Sequence, residues 1–206
     1  VAAAVISQAH LRARLADNTV VFQQHLLSGK EAPPISSPVQ RLSLALTAED
    51  PEDLVVTLPE ENAERVRTAR LICYPPGSFY SSVCANLLAR GLAPALAANP
   101  APKLFVPGLG HDPECFAMGI ADRVDRLLQQ LQAHEIDPLP VPKLLSHLPL
   151  DEAHAARLAP GERWRIESLG IRILTAPLVR PEAPDRYDPE AFCREVLGLS
   201  RQAGGA

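Results

Sequence analysis

Residues 70–90, RLICYPPGSFYSSVCANLLAR, join a short apolar run to a helical pattern through a loop of prolines, glycine and serines. The run RLICY shows no alternation of polar and apolar residues, which is typical of a strand covered on both faces. Pro75 and Pro76 stiffen the loop, Gly77 permits a close approach to the backbone, and serines are common helix caps. The stretch therefore predicts a strand, a loop and a helix in direct succession.

Elements of the same kinds lie on both sides of this unit. PEENAERVRTA, from residue 59, has acidic residues in its first turn and basic residues in its last, which complements a helix dipole. KLFVP at 103–107 predicts a second covered strand, and IADRVDRLLQQLQAH at 120–134 predicts a long amphipathic helix. Helices and strands in this order predict an α/β fold, a three-layer sandwich around a mainly parallel, doubly wound sheet.

The flanking segments carry weaker patterns. Residues 2–15 predict a helix, and the segments 41–46 and 54–58 predict strands. Residues 136–200 are less regular and suggest one or two more strands and a closing helix. We expect a single domain over residues 1–206.

Composition excludes several classes of function. The net charge of -4 gives no basic field for nucleic acid, and no apolar stretch reaches the roughly 18 residues of a membrane span. The 4 cysteines are widely spaced without a CxxC pair, which favours reduced thiols in a cytoplasmic protein. The histidines share no metal-binding spacing, and Trp164 is expected in the core of a late strand, with base stacking as the alternative.

The loop after RLICY is a candidate anion site. In a doubly wound sheet, ligands bind outside the carboxyl ends of the strands, where this loop is expected. The N–H groups and positive dipole end of the next helix favour a phosphate, and Ser78, Ser81 and Ser82 add hydroxyl groups. The alternative is a serine-capped helix without a ligand.

The segment PPGSFYSSVCANLLARGLAPAL resembles GPGSLYTSVxPNLLxxGIxxAL of the CofD-like superfamily. That superfamily includes the 2-phospho-L-lactate transferases of deazaflavin coenzyme biosynthesis and bacterial gluconeogenesis-factor proteins that bind nucleotide sugars. AERVRTARLIC, APKLFV and ADRVDRLLQQL resemble its neighbouring elements, and LADNTVVFQQHLLSGKEAPPI resembles its hairpin region, so the resemblance spans residues 17–135. The family's first strand carries a glycine-rich loop that this chain lacks. We therefore expect a C-terminal part of the domain, with a decayed homologue as the alternative.

The resemblance implies which residues form the site. The motif positions are occupied by Gly77, Ser78, Tyr80, Ser81 and Asn86, with Ser82 following as in the family. We expect the backbone of Gly77 and Ser78 and the hydroxyl of Ser81 to face phosphate. Tyr80 is expected to pack or to bind, and Asn86 to tie the helix to a neighbouring loop.

A second loop, PGLGHDPECFAMG at 107–119, follows KLFVP at the same end of the sheet. Family members there resemble CNxMTQPGETDG, whereas this chain has Gly108 in place of Asn and His111-Asp112 in place of Thr-Gln. His111 and Asp112 are candidates to bind a ligand hydroxyl or Mg²⁺, which prefers oxygen ligands. The alternative is a turn in which Asp112 bonds to the backbone.

The resemblance also implies a function. We expect a protein that binds GDP- or UDP-linked compounds with Mg²⁺ and transfers a phosphoryl group from the nucleotide-activated donor to an acceptor hydroxyl. No catalytic residue is evident in the sequence. The alternatives are a non-catalytic regulator that binds nucleotide sugars and an interaction module without a ligand. The sequence does not identify the base, the sugar or the acceptor, and a homo-oligomer remains open.

Overall fold

The strands form one parallel and two antiparallel sheets. The computed structural model describes residues 9–29 and 32–203. Its strands are β1 (His10–Leu15), β2 (Val20–Phe22), β3 (Val39–Ala45), β4 (Ile72–Tyr74), β5 (Lys103–Phe105), β6 (His147–Asp151), β7 (Arg172–Ala176), β8 (Val179–Arg180) and β9 (Ala183–Tyr187). The parallel sheet has the order β4-β5-β6-β7, while β2-β1-β3 and β8-β9 are antiparallel.

Helices flank the parallel sheet, as the sequence predicts. The Tyr74 hydroxyl donates to the carbonyl of Leu144 on one face, 2.7 Å away. On the other face, Leu104 and Val196 line a shared apolar cavity. No helix of the described residues is long and apolar enough to cross a bilayer. The helices are α1 (Gln24–Leu27), α2 (Glu60–Thr68), α3 (Leu92–Ala98), α4 (Ile120–Leu131), α5 (Val141–Leu144), α6 (Glu152–Arg157), α7 (Pro160–Ser168) and α8 (Pro189–Ala203).

The predicted central elements are confirmed, with one exception in their burial. α2 and α4 cover the two predicted helices, and β5 is buried along its whole length. β4 follows α2 as predicted, but Cys73 is exposed, so the expectation that both faces of this strand are covered is wrong there. β4 is the last strand of the sheet on its side among the described residues, and the edge of a sheet is covered less completely than its centre.

The predicted helix over residues 2–15 is wrong where the structure describes it. Residues 10–15 form β1, and residues 1–8 lie outside the described part. Leu11, Ala13 and Leu15 are buried while the residues between them are less covered, which is the two-residue period of a strand.

Two strand predictions have different outcomes. Residues 41–46 lie largely within β3, which confirms that strand. Residues 54–58 form no strand, because their pairing is limited to a short parallel bridge between Thr57 and Arg90. The Leu58 N–H donates to the Arg90 carbonyl at 2.9 Å, and the Leu54 N–H donates to the Leu44 carbonyl of β3 at 2.7 Å, so the segment makes isolated backbone bonds at both ends without forming a strand.

The segment after the proline loop is helical but not a continuous α-helix. Residues 79–83 form a π-helical turn, residues 84–87 a 3-10 turn, and α3 begins only after Gly91, whose φ is 92°. That positive φ is readily adopted by glycine and interrupts the helical path.

The C-terminal part contributes substantially to the sheet. Residues 136–200 contain β6, β7 and most of α8, in agreement with the predicted one or two strands and closing helix, and they also contain the β8-β9 hairpin, which the sequence did not predict. The position predicted for Trp164 is wrong, because this residue lies in α7 and its side chain is 70% exposed.

Candidate functional site

The two predicted loops meet at the carboxyl ends of β4 and β5. They enclose a cavity of about 510 Å³, called the loop cavity here. The end of α1 and the β8-β9 hairpin complete its wall. The lining residues are Ser28, Gly29, Pro76, Gly77, Ser78, Gly108, Leu109, Gly110, His111, Asp112, Pro113, Asp185, Arg186 and Tyr187. Proximity of the two loops follows from parallel pairing of β4 with β5, which brings their carboxyl ends to one edge.

The loop cavity offers hydrogen-bond donors to a ligand. Within the described part of the chain, the backbone N–H groups of Gly77, Ser78, Gly108 and Gly110 have no hydrogen-bond partner. The Ser78 hydroxyl does not cap the following turn. Arg186 is exposed at the cavity wall and forms no ion pair with a described residue. N–H groups and a guanidinium group favour an anionic ligand.

The first turn after Ser78 is already occupied by carboxylates of the second loop. Glu114 is 1% exposed, and its Oε2 accepts the N–H groups of Tyr80 at 2.7 Å and Ser81 at 2.8 Å. Its Oε1 accepts the Ser81 hydroxyl. Asp112 Oδ2 accepts the Phe79 N–H at 2.8 Å. The Ser81 hydroxyl and the first amides of the helical segment, which the sequence suggested as phosphate ligands, are thus bonded to side chains of the same chain, whereas the Gly77 and Ser78 amides are not.

Burial determines the electrostatics of Glu114. Loss of solvent raises the pKa of this carboxyl group, and the neighbouring charge of Asp112 raises it further. The hydrogen bonds from Ser81 and Tyr80 act in the opposite direction without cancelling the effect of burial. A buried acid with three donors around it fastens the second loop to residues 75–82, called the serine loop here.

The remaining motif residues have structural contacts. Tyr80 is buried and its hydroxyl donates to Met118 Sδ at 3.4 Å, which favours packing over binding. The Asn86 amide donates to the Ser82 carbonyl at 2.6 Å, so Asn86 ties its own turn and not a neighbouring loop. Ser82 is exposed beside the loop cavity and does not line it.

The second loop does not provide a metal site of the expected kind. Asp112 Oδ1 accepts the Glu114 N–H at 3.0 Å, and Oδ2 accepts the Phe79 N–H. Asp112 therefore bonds to the backbone in a turn, which is the alternative that the sequence allowed. His111 is exposed at the cavity wall. Among the residues that the structure describes, no three His, Cys, Asp or Glu side chains cluster as ligands. The donor set therefore does not fit a Mg²⁺ site built by these side chains alone.

Sequence reasoning missed three contributors to the site. Glu114 is two residues beyond Asp112, but only the tertiary structure reveals that it caps the serine loop. The Tyr187 hydroxyl donates to the Pro107 carbonyl at 2.8 Å and holds the hairpin over the cavity. Gly29 has a φ of 66°, and a Cβ there would lie 2.9 Å from Pro113 Cβ. The presence of a glycine at this position of the segment SGKE, residues 28–31, was the available signal for that close approach.

Comparisons with known proteins place the fold. Two crystal structures of a UPF0052 family protein from Bacillus halodurans align with TM-scores of 0.65, at 19% and 20% identity. Each alignment covers 94% of this chain and 60% of the other, so the chain spans about 60% of those proteins. A comparison with curated protein sequences gave no match. The family model described as 2-phospho-L-lactate transferase CofD matches residues 2–179, and the chain therefore belongs to the CofD family.

Proposed function

We propose that the loop cavity binds the phosphate groups of a GDP- or UDP-linked compound and that the chain takes part in phosphotransfer of the 2-phospho-L-lactate transferase type. The main support is the convergence of unpartnered N–H groups from Gly77, Ser78, Gly108 and Gly110 beside Arg186. Backbone N–H groups in two loops can bind the oxygens of a diphosphate without a dedicated cation for each charge. Family membership supports the transferase type.

The proposed reaction is a substitution at phosphorus. The oxygen of an acceptor hydroxyl forms a bond to the phosphorus of the donor that carries the transferred group. The bond from that phosphorus to the bridging oxygen breaks, nucleoside monophosphate leaves, and the hydroxyl proton is released to solvent. Such a reaction depends mainly on positioning and on stabilising the charge of the phosphate oxygens.

The contribution of this chain is to hold the donor. N–H groups of the Gly77–Ser78 loop and of the Gly108–Gly110 loop would bind the diphosphate oxygens, and Arg186 would offset their charge. Glu114 acts indirectly, because it fixes the serine loop by accepting from Tyr80 and Ser81.

A second function is favoured by a different observation. Both oxygens of Asp112 accept backbone N–H groups, so this carboxylate holds the two loops together, and the structure does not set it apart as a group for proton transfer. A regulator that binds nucleotide sugars without a reaction needs the loop cavity but no such group. Donor binding is common to both functions, and formation of product separates them.

Calorimetric titration with GDP and UDP tests the shared step. Arg186→Gln should weaken binding by about 10- to 100-fold, because a charged hydrogen bond contributes about 1.5–3 kcal/mol. Arg194→Gln, an exposed change in α8 away from the cavity, is the matched control and should leave affinity unchanged. Absence of binding heat with both nucleotides would contradict the proposal. With a bound donor identified, release of nucleoside monophosphate on addition of an acceptor distinguishes the transferase from the regulator.

A further inference from the structure

Arg123, in the first turns of α4, binds both ends of the second loop, residues 107–119. Its Nη1 donates to the Gly108 carbonyl at 3.2 Å, and its Nε donates to the Gly119 carbonyl at a longer distance of 3.4 Å. Gly108 lies just beyond β5, and Gly119 directly precedes α4. One guanidinium group therefore joins the beginning of the loop to its end.

The Arg123 side chain has only neutral acceptors. Among the residues that the structure describes, its guanidinium forms no ion pair, and both of its hydrogen bonds go to backbone carbonyl groups. The rigid, planar arrangement of its donors suits two acceptors at once. Because no carboxylate competes for these donors, the guanidinium is free to fix the path of the loop.

The contact with Gly108 also sets the direction of the next amide. No peptide bond in the described part of the chain is cis, and in a trans peptide the C=O and the following N–H point in opposite directions. The Gly108 carbonyl points toward Arg123. The Leu109 N–H therefore points away from α4. Leu109 lines the loop cavity whereas Arg123 does not, so this N–H is directed to the cavity side of the loop.

The Leu109 N–H belongs to a run of free donors. Within residues 9–29 and 32–203, the N–H groups of residues 108–111 have no hydrogen-bond partner. The carbonyl before this run, that of Pro107, accepts the Tyr187 hydroxyl at 2.8 Å, so two successive peptide groups are held by their carbonyl oxygens. Successive backbone N–H groups can form a concave site for an anion. Donors that are oriented before the ligand arrives also lower the cost of ordering the loop.

We propose that Arg123 is a positioning residue of the phosphate site, which orients the second loop through its carbonyl groups and adds the Leu109 N–H to the phosphate-binding donors. This inference rests on the phosphate binding proposed above. Arg123 acts through the loop and does not contact the phosphate, whereas Arg186 lies in the cavity wall and offsets the charge of the ligand.

Nuclear magnetic resonance of the whole chain, with inorganic pyrophosphate as the probe, tests this role. Without ligand, Arg123→Met should shift the ¹³C signal of the Gly108 carbonyl, because that oxygen loses its donor. In the parent chain, pyrophosphate should give a saturable shift at the Leu109 amide. Arg123→Met should weaken this binding at least about tenfold, which corresponds to about 1.4 kcal/mol. Arg123→Lys keeps the charge without the rigid pair of donors, so its affinity should lie between those of the parent chain and Arg123→Met.

Arg126→Met is the matched control. Arg126 also lies in α4 and also donates to two backbone carbonyls, those of Val39 and Gln40, but it does not line the loop cavity. The control removes a similar set of hydrogen bonds and should leave the pyrophosphate affinity unchanged. An equal loss of affinity in Arg126→Met and Arg123→Met would overturn the positioning role, because it would reflect a general loss of stability. Full affinity in Arg123→Lys would also overturn it, because charge alone would then be sufficient.

The outcomes separate this inference from the phosphate site itself. Pyrophosphate shifts at Gly77 and Ser78 with the parent affinity in Arg123→Met, or an unchanged Gly108 carbonyl signal in that variant, overturn the positioning role and leave the phosphate site in place. Absence of any pyrophosphate shift in the parent chain contradicts the phosphate site, and the positioning role fails with it. If Arg123→Met does not fold, reduced affinity together with a shifted Gly108 carbonyl signal in Arg123→Lys supports the role, and parent values for both overturn it.

Discussion

Replacement of Glu114 tests the contact that joins the two loops. Glu114→Ala removes a carboxylate that accepts from the N–H groups of Tyr80 and Ser81 and from the Ser81 hydroxyl. These donors would remain buried without a partner, and each unsatisfied group costs about 1–3 kcal/mol. Part of this is offset because the variant no longer buries a carboxyl group. We expect the free energy of unfolding to fall by about 3–5 kcal/mol, most of it from the two backbone N–H groups.

Glu114→Gln is the conservative comparison. Its amide oxygen can accept both backbone N–H groups, and its NH₂ group can donate to the Ser81 hydroxyl oxygen. The expected loss is about 1–2 kcal/mol, because both backbone N–H groups keep an acceptor while the Ser81 hydroxyl must accept a hydrogen bond instead of donating one. Urea unfolding followed by circular dichroism measures both values, with Glu182→Ala at an exposed position as the control. A Glu114→Ala variant as stable as the control, or a Gln variant as unstable as the Ala variant, would refute the reasoning.

The stability difference between the parent chain and Glu114→Gln should also depend on pH. Burial raises the pKa of Glu114 above its ordinary value of 4.5, so the folded state holds this proton more tightly than the unfolded state. The resulting stabilisation is present at low pH and is lost as pH rises through the folded pKa. The stability difference between the parent chain and Glu114→Gln should therefore narrow from pH 4.5 upward. A difference that widens would show that hydrogen bonds outweigh burial.

Three further changes have definite outcomes. Gly29→Ala should lower stability by about 1–3 kcal/mol and weaken nucleotide binding, because the positive φ and contact with Pro113 disfavour a side chain; calorimetry measures the binding. Burial opposes ionisation of Asp151, but hydrogen bonds from the backbone, including that of Leu178, lower its pKa below 3.8. The parent chain should be more stable than Asp151→Asn at pH 7, and this difference in the free energy of unfolding should be lost as pH falls through the lowered pKa. Urea unfolding at pH 7 and in acid measures the difference. Burial lowers the pKa of Lys103 from 10.5, so stability should rise with pH toward 10.5 in the parent chain and not in Lys103→Met.

Local patterns in the sequence were sufficient for the centre of the fold. The continuous apolar runs of β4 and β5 and the charges at the ends of α2 are properties of neighbouring residues, so they are visible without a structure. β1 was misread because Leu11 and Leu15, four residues apart, also fit the spacing of a helix, and only pairing with β2 and β3 settles the choice.

The candidate site was predictable only in outline. The sequence placed Gly77 and Ser78 at a strand end, and in the structure both follow β4 and line the loop cavity. It could not show that Glu114 accepts the N–H groups of Tyr80 and Ser81, because these two hydrogen bonds join residues 34 and 33 positions apart in the chain. The role of the β8-β9 hairpin likewise depends on a tertiary contact.

The central claim is that phosphate binds at the unpartnered amides of the two loops and not at those already held by carboxylates. Amide ¹H–¹⁵N shifts during titration with inorganic pyrophosphate measure this directly. The account predicts saturable shifts at Gly77, Ser78 and Gly110, with little change at Tyr80 and Ser81. Shifts confined to Tyr80 and Ser81, or no saturable shift at any of these five amides, would contradict it.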